Sequence, residues 1–143
     1  MSVDETHRTE RRRILIVDDD ASIRAFILSA LTDAGYDAEV AANGEEALAA
    51  LARTQPHLIL LDVRMPGVDG WQVLDTLRSA TGEQTPVVVM TAEYSGQEQA
   101  LASGAQGYLA KPFELEDLLD CVDLHSSLRL DVALRETPAV HTP

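Results

Sequence analysis

Three short apolar runs, each followed directly by an acidic or hydroxyl side chain, divide this chain into repeating segments. The runs cover residues 14–17, 58–61 and 87–90. Each run is too short for a helix and is rich in β-branched or leucine side chains, which is typical of a strand. Because apolar and polar residues do not alternate within the runs, we expect both faces of each strand to be covered.

Between the runs, apolar residues recur three and four positions apart, which is the spacing of an amphipathic helix. The first such segment contains Ile23, Ile27 and Leu31 and predicts a helix over residues 21–34, with Gly35 as its stop signal. The same spacing predicts four more helices. Their apolar positions are Ala47, Leu48 and Leu51 before a stop at Gln55-Pro56; Val73, Leu74, Leu77 and Ala80 after a cap at Asp69; Ala100 and Leu101; and Leu115, Leu118, Leu119 and Val122.

Weaker strands at residues 38–42 and 107–109 complete five repeats of a strand followed by a helix. This alternation predicts a doubly wound α/β domain, in which a five-stranded parallel sheet is joined by right-handed crossovers. In such a domain, ligands bind outside the carboxyl ends of the strands.

Polar side chains that suit phosphoryl chemistry stand at those strand ends. Asp18 and Asp19 follow the first strand, Asp62 the third, Thr91 the fourth and Lys111 the fifth. Three carboxylates in one crevice repel one another and need a counterion. Mg²⁺ suits them, because it prefers oxygen ligands, keeps several waters and readily shares a phosphate oxygen. The strand ends therefore predict a crevice that binds a divalent cation and accepts a phosphoryl group.

A simpler interpretation applies to acidic residues that follow a strand, since they often cap the next helix. We expect Asp20 to have only that role. Capping alone does not explain Asp18 and Asp19, because one helix needs a single cap.

Length and composition agree with a single domain. The chain has 143 residues, which suffice for one core, and five repeats leave no room for a second full domain. We expect a flexible polar arm over residues 1–11, a folded domain over residues 12–124 and a tail over residues 125–143.

Charge and hydropathy exclude several classes of function. The chain carries 24 acidic and 11 basic side chains, a net charge of −13 that repels nucleic-acid phosphates. We therefore interpret residues 11–13, three arginines, as a charged lead into the first strand. The sequence has no apolar stretch approaching the ~18 residues of a membrane span or a signal segment, so we expect a cytoplasmic protein. The single cysteine, Cys121, is expected to be a packing residue.

Several short motifs make residues 12–124 resemble the receiver domain of two-component response regulators. All of the motifs occur in order and at the right strand ends, which makes the resemblance specific. They are Asp18-Asp19, Leu60-Leu61-Asp62, Met65-Pro66-Gly67-Val68-Asp69-Gly70, Thr91-Ala92, and Gly104-Ala105 leading to Gly107-Tyr108-Leu109-Ala110-Lys111-Pro112-Phe113.

The resemblance implies a flavodoxin-like strand order, 2-1-3-4-5, and a specific set of metal ligands. Asp19 and Asp62 would bind Mg²⁺ directly, Asp18 partly through water, and Arg64 through its backbone carbonyl. Asp62 would be the phosphoacceptor, whose carboxylate attacks the phosphorus of a phosphohistidine.

The resemblance also assigns supporting roles. Lys111, next to a cis bond to Pro112, would pair with Asp62 at rest and with the phosphoryl group afterwards, while Thr91 would donate a hydroxyl hydrogen bond. Thr91 and Tyr108 would act as the switch, with Tyr108 turning from exposed to buried on phosphorylation. The residues that flank the path of hydrolytic water, and so modulate the rate of phosphoryl loss, would be Arg64 and Glu93.

We therefore expect a stand-alone receiver that a sensor histidine kinase or a histidine phosphotransfer protein phosphorylates, and that then changes its protein partners. It would not be a conventional turnover enzyme, and it would contact neither nucleic acid nor membrane directly. Homodimers through helix four, strand five and helix five, or through the tail, are compatible with this role. The alternatives are a phosphorelay intermediate, a receiver truncated from a DNA-binding regulator, and a haloacid-dehalogenase-type phosphatase with Asp18 as its nucleophile.

The apolar pattern of the tail fits two structures. Leu128, Leu130, Val132 and Leu134 alternate as in a strand, whereas Leu124, Leu128 and Val132 have the spacing of a longer fifth helix. Since either pattern leaves an apolar stripe on a lone domain, our hypothesis is that residues 125–135 are ordered by self-association or by a partner.

Overall fold

A computed structural model describes residues 11–65, 68–81, 85–92 and 96–127 of the chain. Strands and helices alternate along these residues as the hydrophobic pattern predicts. The strands of the main sheet are β1 (Arg13–Val17), β2 (Asp37–Ala41), β3 (Leu58–Asp62), β4 (Val87–Thr91) and β5 (Gly107–Ala110); the helices are α1 (Ala21–Asp33), α2 (Gly44–Thr54), α3 (Gly70–Thr81), α4 (Gly96–Ala102) and α5 (residues 115–127).

The five strands form one parallel sheet in the order β2-β1-β3-β4-β5. This order confirms the predicted doubly wound, flavodoxin-like fold. All carboxyl ends lie at the same edge, and β1 and β3 are neighbours there, with Val17 paired to Leu61. A short antiparallel ribbon follows β3, in which Arg64–Met65 pair with Val68–Asp69. The hydrophobic pattern did not predict this ribbon.

Both faces of the central strands are buried, as the unbroken apolar runs predict. Leu15 and Val17 of β1 pack on the side of α2, α3 and α4, whereas Ile14 and Ile16 pack on the side of α1 and α5. Successive residues of a strand point to opposite faces. An apolar residue is therefore needed at every position of residues 14–17, 58–61 and 87–90, which explains why the pattern is continuous there.

The helix ends follow the local signals in the sequence. Asp20 caps α1 by accepting hydrogen bonds from the backbone N–H groups of Ser22 (2.8 Å) and Ile23 (3.3 Å), which confirms its expected role. Gly35 follows α1 with a φ of 98°, a conformation that a residue without a β-carbon adopts at no steric cost. Asn43 caps α2 by accepting from the N–H of Glu46.

Two arginines that lead into β1 are bound within the domain. Arg12 Nη1 donates to Asp123 Oδ1 (2.8 Å) and to Ser126 Oγ (3.2 Å) on α5, and Arg13 Nε donates to the carbonyl of Thr54 (2.7 Å) at the end of α2. These hydrogen bonds therefore connect the start of β1 to the last turns of α5 that the structure describes and to the end of α2.

Helix α5 continues through residue 127, beyond the boundary at residue 124 expected for the domain. The tail pattern from Leu128 onward and the arm over residues 1–10 lie outside the described residues. Among the described helices, none combines the length and the apolar character needed to cross a membrane. The thiol of Cys121 is partly buried and burial raises its pKa to about 11, in agreement with a packing role.

Candidate active site

Three aspartates meet where β1 and β3 end. Asp18, Asp19 and Asp62 each offer a carboxylate oxygen, and the three oxygens lie within 4.8 Å of one another. Asp18 and Asp62 are buried, whereas Asp19 is exposed at the mouth of the crevice. An all-oxygen, all-anionic set that is open to solvent suits a hard divalent cation, because Mg²⁺ keeps part of its water shell. The cluster can therefore hold the predicted metal ion.

Lys111 lies between the two buried carboxylates. Its Nζ donates to Asp18 Oδ2 at 2.8 Å and to Asp62 Oδ2 at 3.2 Å, and its side chain is only 16% exposed. The Lys111–Pro112 bond is cis, as the resemblance implies. Lys111 is the single lysine of the chain, and every other permanently charged basic side chain is an arginine. A compact ammonium, which can contact two carboxylates at once, therefore lies against the acidic cluster.

Backbone amides hold the other oxygens of the two buried carboxylates. Asp62 Oδ1 accepts from the N–H of Arg64 (2.9 Å), and Asp18 Oδ1 accepts from the N–H of Asp20 (2.9 Å). Each carboxylate therefore has one oxygen held by the backbone and one by Lys111. This arrangement fixes the direction in which the oxygens of Asp62 point.

Burial and the neighbouring charges shift the pKa values of Asp62 and Lys111. Burial raises the pKa of the Asp62 carboxyl above its ordinary value, and the charge of Asp18 adds to this effect, although the Arg64 amide and Lys111 oppose it. Burial by itself lowers the pKa of Lys111, but the hydrogen bond to Asp18 and the charge of Asp62 outweigh it and raise that pKa. Lys111 therefore stays charged at neutral pH, while one positive charge faces two buried carboxylates.

The raised pKa of Asp62 has a defined effect on stability. The folded chain keeps a proton on Asp62 at pH values where the unfolded chain has already lost it. The free energy of unfolding therefore falls as the pH rises from the unfolded pKa through the folded one. Above that window Asp62 is charged in both states, and the repulsion from Asp18 remains.

Replacing Lys111 by methionine is expected to lower the free energy of unfolding by about 3 kcal/mol at pH 7 without divalent cations. The change leaves two buried carboxylates without their ammonium, and Mg²⁺ should restore part of the loss. Urea unfolding measures the effect. Arg53→Met is the matched control, since it removes the exposed pair with Glu39, and it should cost less than about 1 kcal/mol. Equal losses in the two variants would contradict the assignment of Lys111.

Thr91 stands on the same sheet edge and links the site to β5. It is fully buried, and its carbonyl accepts hydrogen bonds from the Lys111 N–H and from the Tyr108 hydroxyl, each at 3.1 Å. Tyr108 is half-buried and packs against the core rather than lying fully exposed. The structure therefore brings Thr91 and Tyr108 into contact, while their action as a switch stays a prediction.

Arg64 is exposed beside Asp62, and its backbone belongs to the short ribbon after β3. Gly70, at the start of α3, allows the chain to fold back closely, since a β-carbon there would lie 2.1 Å from the carbonyl oxygen of Val63. Glu93 lies outside the described residues, as does the side chain of Asp69. The role of Arg64 and Glu93 beside the path of hydrolytic water and the cap at Asp69 therefore stay predictions.

Arg24 supports the site although the sequence reasoning did not identify it. Its Nη1 donates to the carbonyl of Asp18 at 2.8 Å, which holds the loop that carries Asp18 and Asp19. Arg24 lies one turn into α1, and its N–H also bonds to the carbonyl of the cap residue Asp20. The sequence signal that could have identified Arg24 is a basic residue one turn after the acidic cap residue Asp20.

An open cleft of about 380 Å³ lies beside Lys111. Its lining is mainly apolar, and Phe26 of α1 is 45% exposed there. The Phe26 and Phe113 rings lie 6.4 Å apart between centroids. The lining residues are Ser22, Ile23, Phe26, Ala92, Lys111, Pro112 and Phe113.

Comparison with known proteins agrees with this geometry. The family model of the response regulator receiver domain matches residues 14–123. The response regulator MprA of Mycobacterium leprae (strain TN) is 47% identical over 109 residues, which are 75% of this chain and 47% of that protein. MprA of Mycobacterium sp. (strain KMS) is 46% identical over the same length. The chain thus spans about half the length of the curated relatives that it matches.

Solved structures show the same fold in two settings. The chemotaxis protein CheY4 of Vibrio cholerae is 36% identical with a TM-score of 0.74, and the match covers 80% of this chain and 98% of that chain. NtrX from Brucella abortus is 27% identical with a TM-score of 0.80, and the match covers 92% of this chain and 30% of that chain. The matched region is almost the whole of the first protein and a minor part of the second.

Proposed function

We propose that this chain, which belongs to the response regulator receiver family, takes a phosphoryl group on Asp62 with Mg²⁺ and thereby changes its protein partners. The observation that carries the proposal is the setting of Asp62. Its buried carboxylate lies 3.2 Å from Lys111 and within one cation's reach of Asp18 and Asp19.

The residues of the site divide the chemistry among them. An oxygen of Asp62 forms the new O–P bond in line, while the N–P bond to the donor histidine breaks and its electron pair returns to the imidazole ring. Asp19, Asp62 and the Arg64 carbonyl would hold Mg²⁺ directly, and Asp18 would act partly through water. The bound ion neutralises charge on the phosphoryl oxygens. Lys111 and the Thr91 hydroxyl then bind the transferred group.

The phosphodonor is a sensor histidine kinase or a histidine phosphotransfer protein in the cytoplasm. The cleft beside Lys111 lies next to the side chain that contacts Asp62, and we expect the donor protein to dock there. Because Phe26 and its apolar neighbours line the cleft, apolar side chains of the donor protein fit it.

Phe26→Glu is expected to slow phosphotransfer from a cognate protein donor by about tenfold or more, because the exposed ring is an apolar anchor of the kind that dominates interfaces. Labelling by acetyl phosphate, which needs no protein interface, should stay within about twofold. Leu101→Glu on α4 is the matched control, since Leu101 is 54% exposed but does not line the cleft. An equal loss with both donors would place Phe26 in the chemistry or in the fold instead.

The output follows from the link between Thr91 and Tyr108. When the Thr91 hydroxyl binds the phosphoryl group, the contact with Tyr108 changes, and the surface of α4, β5 and α5 changes with it. This surface, or the tail, is where a partner or a second copy would bind. The opposite charges of Arg64 and Glu93 would flank the path of hydrolytic water and modulate the lifetime of the phosphoryl group.

The main alternative is that the same receiver controls a longer regulator. CheY4 is covered almost entirely and MprA only by half, so relatives of both kinds exist. A phosphorelay intermediate would use the identical site and pass the group on to another histidine. The length of the natural gene product and a transfer assay to histidine phosphotransfer proteins distinguish these outputs.

Mapping the modified aspartate tests the proposed function. The protein is treated with acetyl phosphate and Mg²⁺, the acyl phosphate is reduced with borohydride, and the product is located by peptide mass spectrometry. Modification of Asp62 is expected. Modification of Asp18 would support the phosphatase alternative and overturn the proposal. Phosphotransfer from a panel of histidine kinases then identifies the donor.

A further inference from the structure

Gly96 opens α4 at a place where no side chain fits. The residue is buried, and a β-carbon on it would lie 2.5 Å from Cγ2 of Thr91 and 3.0 Å from Cε1 of Tyr108. Carbon atoms that are not bonded pack at about 3.5–4.0 Å. The backbone of α4 therefore approaches Thr91 and Tyr108 more closely than any other residue type at position 96 would allow.

These three residues form a packed unit, which we call the Gly96 cluster (Gly96, Thr91 and Tyr108). Within it, the Tyr108 hydroxyl donates to the Thr91 carbonyl, and the same carbonyl accepts from the N–H of Lys111. Thr91 thus contacts Gly96 in the first turn of α4, Tyr108 on β5 and the backbone of Lys111. The cluster connects the edge of the sheet that bears Asp62 with α4.

The part of Thr91 that faces Gly96 is its methyl group, whereas its hydroxyl is the group that can bind a phosphoryl oxygen. Both groups are attached to one β-carbon with few allowed rotamers. Any movement that brings the hydroxyl to the phosphoryl group therefore also moves the methyl. Because protein interiors are close-packed, a methyl that leaves Gly96 creates a gap beneath α4.

We propose that Gly96 is a positioning residue for Thr91. Its missing side chain accommodates the Thr91 methyl in the unphosphorylated protein, and the contact of this methyl with the α4 backbone transmits phosphorylation of Asp62 to α4. The inference rests on the proposed function, since it requires a phosphoryl group on Asp62. A methyl group added at position 96 would push the Thr91 methyl away from α4 and shift the free protein toward its phosphorylated conformation.

A double-mutant cycle tests this contact. Beryllofluoride with Mg²⁺ serves as the phosphoryl analogue, and its affinity for the full chain is measured by NMR titration. Gly96→Ala is made in the natural chain and in a Thr91→Ser background, which keeps the hydroxyl and removes the methyl. In the natural chain we expect binding to tighten by about 3- to 10-fold, which lies within the roughly 2- to 30-fold range of changes along coupled networks. In the Thr91→Ser background the change should stay below about twofold, because the 2.5 Å approach to the Thr91 methyl is then removed and the lesser 3.0 Å approach to Tyr108 is left.

The NMR spectra give a second readout. Gly96→Ala without beryllofluoride should move amide signals of α4 and β5 toward their bound positions. Gln97→Ala, at the exposed next position of α4, controls for the effect of alanine on the helix and should leave the affinity within about twofold. Unchanged or weaker binding in the natural chain, or equal tightening in both backgrounds, would overturn the proposal.

Folding of the variants is informative as well. A Gly96→Ala protein that unfolds alone but folds together with Thr91→Ser supports the same contact. Unfolding of both proteins would show that the added methyl meets other neighbours, which contradicts the inference. If the natural chain does not bind beryllofluoride, or if Asp62→Asn still binds it, the proposed function fails instead.

Discussion

Asp62→Asn is expected to reduce stable phosphorylation by at least about 100-fold, since it removes the nucleophile itself. An amide of nearly the same volume replaces the carboxylate, so the fold should remain intact. The change also removes one of the two buried charges that face Lys111. We therefore expect the free energy of unfolding at pH 7 to rise by about 1 kcal/mol, as is common when a strained functional site is relieved.

The measurement is acid-labile, hydroxylamine-sensitive labelling from acetyl phosphate, together with urea unfolding. Asp20→Asn is the matched control, because Asn caps a helix about as well as Asp and Asp20 lies outside the metal cluster. It should keep full labelling. Undiminished labelling of Asp62→Asn would show that another residue accepts the phosphoryl group.

Much of the fold was predictable because the central strands are buried on both faces. Residues 14–17 of β1 and all positions of β3 and β4 are buried, so the apolar runs are unbroken and their limits are clear. The alternation with helices then predicts parallel strands. Once the strands are parallel, Asp18, Asp62, Thr91 and Lys111 must share one edge of the sheet, which is why the site could be located from sequence.

The details that escaped prediction depend on distances rather than on patterns. Lys111 lies closer to Asp18 than to Asp62, at 2.8 against 3.2 Å, and no spacing in the sequence determines that preference. The ribbon after β3 has only two residues in each strand, too few for a periodic signal. Gly96 acts through close contacts with Thr91 and Tyr108, and Arg24 acts through a hydrogen bond to the Asp18 carbonyl. The spacing of apolar residues reveals neither contact.

Helical spacing identifies the apolar face of a helix but not how much of that face is buried. Phe26 fits the apolar face of α1, yet it is 45% exposed, whereas Ile27 and Leu31 are fully buried. The apolar stripe of α1 is wider than the surface that the sheet covers. The uncovered part of the stripe lies beside the candidate site, so Phe26 becomes a candidate contact for the phosphodonor.

Removal of divalent cations is expected to slow phosphorylation by at least about 100-fold, because the phosphoryl oxygens would then approach three carboxylates with only Lys111 to offset the charge. Asp19→Asn should weaken Mg²⁺ binding by about 10- to 100-fold while leaving the fold unchanged. Asp19 is suited to this test because it is exposed, whereas Asp18 is buried and bound to Lys111. Asp75→Asn on the exposed side of α3 is the control.

The single lysine makes the magnesium site directly observable. In protein labelled with ¹⁵N only at the lysine ε-nitrogen, the Lys111 ammonium is the sole side-chain signal, and it should shift when Mg²⁺ draws the Asp62 carboxylate away. Because the pKa of Asp62 is raised, protons compete with the cation, and the Mg²⁺ affinity should fall as the pH is lowered through that pKa. Mg²⁺ binding that is independent of pH, or equally strong in Asp19→Asn and Asp75→Asn, would place the cation elsewhere on this acidic surface.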